Sequence, residues 1–248
     1  MQRRTFALGA AFAMMGGAAL AQKSARVAVP APASGTGDRL LQMQPMAPTQ
    51  PSETHSALAV STRAFGGAGV PYRFSGRTRT VRQLRTGSAP NAWEVAWVFW
   101  NFQDNNHLHY FVLKPNGWEI GKRDPRHAVP GVNDGQKIMA TGESVKATIG
   151  QWYTFDVRVN GAEAEIHVDG KLVCRFKDSE SSPLLGGRVG LYTEDACCQW
   201  DQVTAPMEDG FDMEPLQALA DGSQLTNWRI AFLGYGSGGI VPAGESPF

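Results

Sequence analysis

The stretch WYTFDVRVNGAEAEIHVDGKLVCRF, residues 152–176, shows the local pattern that decides the fold. In its first part Tyr153, Phe155, Val157 and Val159 alternate with polar residues. Successive side chains of a strand point to opposite faces of a sheet, so a period of two predicts a strand with one buried and one solvated face.

A hairpin is predicted directly after this strand, around the pair Asp169-Gly170. A loop of two residues would set apolar positions of one strand against polar positions of the other. A loop of three residues, or a bulged loop, would align the apolar positions: Val168 with Leu172, Ile166 with Cys174, and Ala164 with Phe176. We therefore predict the longer turn, with three side chains facing solvent: Glu163, Glu165 and His167.

Two runs upstream are apolar on both faces: WEVAWVFWNF at residues 93–102 and HLHYFVLK at residues 107–114. Strands of this kind usually lie in the middle of a sheet that is covered on both sides. We expect one of their faces in the core and the other in a partly covered concave surface, where a ligand groove would lie.

Short apolar runs of this kind recur along the rest of the chain. Eleven short apolar runs lie between Arg39 and Ala205, and they are separated by Gly, Pro, Asn and Asp; the sequence holds 28 Gly, 15 Pro and 7 Trp. Such spacing predicts an all-β fold, a jelly-roll sandwich of two antiparallel sheets. A length of 248 residues suits one domain, at residues 39–248.

The first 21 residues indicate an export signal helix. Arg3 and Arg4 precede a run of small apolar residues from Ala7 to Leu20, and Ala19-Leu20-Ala21 has the form of an A-x-A cleavage site. This resembles a twin-arginine signal. The alternative is an uncleaved membrane anchor, for which the run is short, because a spanning helix needs ~20 residues.

Residues 22–38, rich in Ala, Pro, Ser and Gly, predict a flexible leader behind the signal. We expect an exported protein, periplasmic or extracellular. Lys and Arg together number 23, as do Asp and Glu, so no excess of positive charge favours nucleic acid as a partner.

Several segments carry a family likeness. PNAWEVAWVFWNFQDNNHLHYFVLKPNGWEIGK, IGQWYTFDVRV, GRVGLYTEDA and QWDQVTA resemble bacterial secreted laminin G-like or concanavalin A-like modules, some described as glycoside hydrolase-like or keto-disaccharide hydrolase-like domains. The resemblance covers about residues 39–205 and implies the same jelly roll. It implies no single function, because this fold supports several.

One departure from these modules concerns the order of segments. They usually open with an acidic-Gly-Ser-x-Leu-x-x-Trp segment, which occurs here near the end, in ADGSQLTNWRIAFLGYGSGGIV at residues 220–241. The chain therefore resembles a circularly permuted member, and we predict that Trp228 to Leu233 forms a strand of the same sandwich. The alternative is a second, truncated module or a segment swapped into a partner chain.

A sugar site would need aromatic faces for stacking and fixed polar groups for hydroxyls. Parity along residues 93–102 places Glu94 and Trp100 on one face and Trp97 on the other, and we expect Trp97 in the core. The predicted ligand-binding residues are Gln83, Arg85, Trp100, His109, Tyr110, Lys114, Trp118 and Lys122.

For catalysis, related glucanases carry Glu-x-Asp-x-x-Glu on one strand, and no such motif occurs in this sequence. Glu94 and Glu119 are the carboxylates we would test as an acid and a base. The resemblance also implies a structural calcium ion near the closing strand, with three candidate ligands: Asp201, Asp212 and Asp221.

The leading hypothesis is an exported, non-catalytic β-sandwich that binds a carbohydrate or another cell-envelope polymer. Two alternatives remain open at this point. One is a glycoside hydrolase or lyase, and the other is an accessory subunit of a larger periplasmic or membrane complex, joined through an exposed strand edge.

Overall fold

The computed structural model describes residues 39–205 and 228–242, which form fourteen strands. In chain order these are β1 (Arg39–Gln44), β2 (Ser56–Ser61), β3 (Tyr72–Gln83), β4 (Ala96–Asp104), β5 (His107–Lys114), β6 (Gly117–Arg123), β7 (Gln136–Gly142), β8 (Tyr153–Asn160), β9 (Glu163–Val168), β10 (Lys171–Lys177), β11 (Arg188–Glu194), β12 (Ala196–Thr204), β13 (Trp228–Phe232) and β14 (Ser237–Pro242). The export signal and leader predicted for residues 1–38 lie outside the described residues.

The strands form two antiparallel sheets of seven. Sheet A has the order β10-β9-β8-β3-β12-β1-β14, and sheet B has the order β13-β2-β11-β4-β5-β6-β7. The predicted all-β, two-sheet sandwich is confirmed. Over the two described ranges, no helix is both long and apolar enough to cross a bilayer.

Apolar side chains from both sheets fill the space between them. Along β8 the buried Phe155, Val157 and Val159 alternate with Thr154 and Arg158, which are exposed. The period of two seen in the sequence is therefore the inner and outer face of this strand. Each large apolar side chain buried in this way stabilises the fold by about 1.5–3 kcal/mol.

Strands β4 and β5 lie at the centre of sheet B, as predicted. Trp100 and Phe111 point into the inter-sheet core, while Trp97 and Tyr110 belong to a second apolar cluster on the opposite face. We call that face, turned away from sheet A, the outer face of sheet B. Trp97 is 1% exposed, so both sides of these strands are buried.

One glycine of β6 makes room for an aromatic ring of β5. Gly121 lies directly opposite Tyr110 in the register. A Cβ atom at this position would overlap the Tyr110 ring. Hydrogen bonds from its hydroxyl to Glu119 and from Gln136 to its oxygen hold that ring in place.

The hairpin at Asp169-Gly170 differs from the prediction. Val168 pairs with Lys171 across a two-residue turn whose φ angles, 48° at Asp169 and 73° at Gly170, are those of a type I′ turn. The predicted pair of Val168 and Leu172 is therefore wrong.

The register then shifts by one residue between Leu172 and Cys174, and this bulge restores two of the predicted pairs: Ile166 with Cys174, and Ala164 with Phe176. Glu163 is exposed, and Glu165 and His167 are half-buried on the same side of the sheet.

The strand expected at Trp228 is present. β13 pairs with β2 at the edge of sheet B, and β14 pairs with β1 at the edge of sheet A. The Trp228 ring is 1% exposed and lies 6.3 Å, between centroids, from Phe74 in the inter-sheet core. The permutation and the limits of the domain remain predictions.

Replacing Gly121 with alanine tests the packing under Tyr110. We expect Gly121→Ala to lower the free energy of unfolding by about 1–3 kcal/mol, because an added methyl group in a filled site forces its neighbours apart. Urea unfolding followed by tryptophan fluorescence measures the change. Gly67→Ala is the control, since a Cβ there meets nothing within 4 Å; an equal loss in both variants would contradict the explanation.

Candidate functional site

The predicted ligand-binding residues of sheet B are divided between its two faces. Four of them face the space between the sheets or lie where β5 and β6 meet the edge of sheet A, and each is at most 7% exposed: Trp100, His109, Trp118 and Lys122. Two others, Tyr110 and Lys114, lie on the outer face. One ligand cannot contact both sets, so the structure does not bring the eight predicted residues together at one place.

The inward-facing set forms an ion-pair cluster that joins the two sheets. Lys122 Nζ donates to Asp178 at 2.9 Å and to Glu180 at 2.8 Å, just beyond the end of β10. His109 Nε2 lies 3.2 Å from the same Asp178 carboxylate, and its ring stacks on Trp100. Burial lowers the pKa of His109. The cluster holds the edge of sheet A against β5 and β6.

Next to this cluster Asp124, His127 and Glu180 each offer one ligand atom, all within 4.8 Å of one another. Both carboxylates already accept from cations. Arg126 donates to Asp124 and lowers its pKa well below the usual range. Burial would raise the pKa of Glu180, but Lys122 and Lys137 bring it down to about 2. A metal ion would have to displace these partners.

The residues predicted for calcium are separated from this group. Asp201 lies on the side of sheet A that faces away from sheet B, 3.5 Å from Arg77. Asp212 and Asp221 lie outside the described residues, so the calcium site remains a prediction.

The outer face of sheet B carries a connected polar network at the end where β5 finishes and β6 begins. Glu119 accepts from Lys114 Nζ at 2.8 Å, from the Tyr110 hydroxyl at 2.8 Å and from Trp93 Nε1 at 3.2 Å. Gln136 of β7 donates to the Tyr110 oxygen at 2.9 Å. Burial, and then the Glu119 carboxylate, raise the pKa of Tyr110 well above its usual value, so its hydroxyl stays a donor.

Trp93 is the aromatic side chain of this network with accessible surface. It is half-buried and packs on the outer-face cluster, and Lys114 Nζ lies 4.1 Å from its ring centroid. Thr141, opposite Glu119 in the register, is exposed. This corner therefore combines an aromatic ring with fixed donors and acceptors; we call it the Trp93 corner.

Gln83 and Arg85 act on the turn that carries Trp93. Gln83 donates to the Asn91 carbonyl at 2.9 Å, and Arg85 is hydrogen-bonded to Glu94. Arg85 also reaches Asp195 at 2.7 Å. Gln83 and Arg85, which were predicted to bind ligand, therefore hold in place the turn that carries Trp93.

The two carboxylates proposed as an acid and a base are both held by cations. Glu94 is fully buried and bonded by Arg85 and Asn91, and Glu119 is bonded by Lys114. Glu94 also does not share a face with Trp100 as predicted. It precedes β4 in a turn and lies beside the carboxylates of the outer face.

A third carboxylate, missed by the sequence reasoning, completes this acidic group. Burial raises the pKa of Glu194 to about 8, and the charges of Asp195, Glu94 and Glu119 add to the effect. Tyr192 donates to it at 2.8 Å. In the sequence, Glu194 lies in the segment GLYTEDA, which was quoted for the family resemblance without a role for this carboxylate.

Trp93 and Gln136 were also missed. Trp93 begins the apolar run at residues 93–102, but its position in a turn ahead of β4 separates it from the parity of that run. Gln136 lies in a run that showed no aromatic or charged pattern of its own.

No protein-family model matches the sequence, and no curated protein sequence matches it. Solved structures with a similar course of the chain include carbohydrate binding module CBM66 from Bacillus subtilis, at 14% identity over 64% of this chain and 89% of that one, with a TM-score of 0.46. Sheep galectin-11 has 14% identity over 64% and 99%, with a TM-score of 0.38. Galectin-Va of Xenopus laevis has 12% identity over 62% and 97%, with a TM-score of 0.42. Identities of this size establish no shared ligand.

A substitution in the buried cluster tests whether Lys122 is structural. We expect Lys122→Met to lower the free energy of unfolding by about 3 kcal/mol or more, because Asp178 is left as a buried charge without its ammonium partner. Lys137→Met is the control in denaturant unfolding: Lys137 also bonds Glu180 but is 44% exposed, and its loss should stay below about 1 kcal/mol. Equal, small losses would remove the structural role.

Glu194 should make stability depend on pH. The folded protein binds this proton more tightly than the unfolded chain, whose ordinary value is 4.5. Its contribution to the free energy of unfolding is therefore complete below pH 4.5 and is lost as the pH rises through about 8. Glu194→Gln should flatten the curve in this window, as measured by denaturant unfolding at a series of pH values. The exposed Glu163→Gln should leave the slope unchanged; a flat wild-type curve with an unaltered variant would contradict the assignment.

Proposed function

We propose that this protein is a non-catalytic carbohydrate-binding β-sandwich, and that the sugar is bound at the Trp93 corner. The observation that carries the proposal is the half-buried Trp93 ring, which is held by a hydrogen bond to Glu119 and a contact with Lys114. Sugars present apolar C–H faces and polar edges, and an aromatic ring beside fixed polar groups is complementary to both.

The network behind Trp93 supports the proposal because it is already ordered. Glu119 has three donors, and Gln136 continues the chain through the Tyr110 hydroxyl. Side chains fixed in this way lose little conformational freedom when a ligand binds, so more of the contact energy remains as affinity.

The charges of the corner favour an uncharged sugar. Lys114 and Glu119 form an ion pair at 2.8 Å, so neither charge is left uncompensated. At the edge of the corner, Thr141 and Gln136 offer both hydrogen-bond donors and acceptors. Hydroxyl groups, which donate and accept, suit such a surface.

A hydrolase acting through Glu94 and Glu119 has less support. Both carboxylates are already bonded by side chains of the protein: Glu94 by Arg85 and Asn91, and Glu119 by Lys114, Tyr110 and Trp93. Each is at most 2% exposed, which leaves little access for a glycosidic oxygen.

Three finer points belong to this proposal. We propose that the sandwich is a permuted relative of laminin G-like modules, on the strength of the residue 220–241 segment. We also propose that it is exported through the Arg3-Arg4 signal to the periplasm or beyond, where envelope or extracellular polysaccharides would be its ligands. Attachment to a larger complex at an exposed strand edge is compatible with this role.

Removing the aromatic ring tests the sugar site directly. The wild-type protein is first screened on an array of neutral glycans, and the best ligand is titrated by calorimetry. Trp93→Ala should weaken that ligand about tenfold or more, as expected when a central aromatic contact of at least about 1.4 kcal/mol is lost. Trp93→Phe should retain part of the affinity, because it keeps a stacking surface but loses the bond to Glu119.

Tyr235→Ala is the matched control, since Tyr235 is 82% exposed on the turn between β13 and β14. It should bind as the wild type does. Absence of binding to every glycan, or an equal loss in the Tyr235 variant, would reject the proposal.

A further inference from the structure

The side of sheet A that faces away from sheet B carries a row of arginines, and we call it the outer face of sheet A. Phe74 and Thr80 of β3 are buried toward the core, so the odd-numbered residues from 73 to 79 point outward. Three of these residues are arginines: Arg73, Arg77 and Arg79. Arg82 joins them after the register shift between Cys197 and Cys198, and Arg158 adds a fifth from neighbouring β8.

Carboxylates on the same four strands, β1, β12, β3 and β8, compensate only part of this charge. Asp156 bonds both Arg73, at 2.7 Å, and Arg158, at 2.9 Å. Asp201 lies 3.5 Å from Arg77, a long contact. On neighbouring β9, Glu165 lies opposite Arg158 but is bonded to Arg175 of β10. In the middle of the row, the described carboxylate beside Arg77 and Arg79 is Asp201, with its long contact to Arg77.

Arg79 is the clearest case of a charge held by neutral groups. Its guanidinium donates to the Gln199 side-chain oxygen, and Gln199 in turn donates to Gln42 at 2.7 Å. Hydrogen bonds to an amide orient a guanidinium but leave its charge in place.

Trp152 holds the two central arginines side by side. The guanidinium carbons of Arg77 and Arg79 lie 4.8 Å and 4.9 Å from its ring centroid. Contacts of this kind with an aromatic face restrict a cation without neutralising it. All three side chains are half-buried, so they present ordered and partly accessible charge.

We infer that the outer face of sheet A is a second binding surface, built on Arg77, Arg79 and Trp152, and that its ligand is a carboxylated polysaccharide. Every one of the five cations is arginine, whose planar fork bonds a carboxylate through two parallel N–H groups. Alternate residues of a strand lie about 6.6–6.8 Å apart. An extended polymer with a carboxylate on successive sugars can therefore meet several arginines of β3 at once.

The aromatic ring in the middle of the row favours a sugar polymer over other polyanions. Trp152 is half-buried, so part of its apolar surface remains accessible beside the two guanidinium groups, which a bare row of charges would not provide. This surface lies on the opposite sheet from the Trp93 corner, so it goes beyond the proposed function and does not depend on it.

The experiment uses polygalacturonate as the probe, with the full chain of 248 residues. Calorimetry at low ionic strength should show binding that weakens steeply as sodium chloride is added, because exposed ion pairs are screened by salt. The double variant Arg77→Gln, Arg79→Gln should weaken binding about tenfold or more. Binding of the neutral glycan by this variant should be unchanged.

The matched control is Arg175→Gln, Lys177→Gln, which removes the same charge from the same face of β10, where both side chains are exposed. It should change the affinity less than about threefold. Circular dichroism and thermal unfolding establish that both double variants are folded, and Trp152→Ala, which keeps every arginine, gives an independent reading: it should also weaken polygalacturonate.

Four outcomes would overturn the inference. They are absence of polygalacturonate binding by the wild type at low salt, an equal loss in the Arg175 and Lys177 control, undiminished binding by both the arginine variant and Trp152→Ala, and equal binding of single-stranded DNA of matched charge. Trp93→Ala should retain polygalacturonate binding, so failure of the neutral-sugar site and failure of this surface give different results.

Discussion

The burial of both faces of β4 and β5 is the constraint on which the rest of the structure depends. With Trp100 on one side and Trp97 on the other, each 1% exposed, the middle of these strands has no solvated face for a polar side chain. A polar group in such a place must be hydrogen-bonded or paired with an opposite charge, because its desolvation is otherwise uncompensated. The polar residues of this region accordingly occur in two networks, centred on Asp178 and on Glu119.

The two networks have similar chemistry and different access. Lys122, His109 and Asp178 are each at most 2% exposed, and they connect β5 and β6 to the end of β10, which makes them part of the join between the sheets. Glu119 and Lys114 are also buried, at 2% and 5% exposed, but their network continues to Trp93, which is half-buried and lies in a turn. Access, and not the kind of residue, is what separates the Trp93 corner, where we propose that sugar binds, from the structural cluster.

Charge is distributed unequally over a chain that is neutral as a whole. Carboxylates gather on the outer face of sheet B, where Glu94, Glu119 and Glu194 lie near enough to raise the pKa of the last. Arginines gather on the outer face of sheet A along β3. A sandwich has two outer faces because its core lies between the sheets, so the two surfaces that we propose as binding sites differ in charge and share no residue.

The amino-acid sequence by itself determined the fold class and the inward and outward positions of regular strands such as β8, and it located the strand at Trp228. These depend on local alternation, which a sequence displays directly. Only the tertiary structure decided the register beyond each bulge, as at Val173 between Leu172 and Cys174, because one extra residue moves every later side chain to the other face. It also decided which side chains of β4 and β5 contact each other, because alternation along a strand separates two faces but does not tell which neighbouring segments cover each face. That a turn places Trp93 next to Glu119 and Lys114 likewise follows only from the tertiary structure.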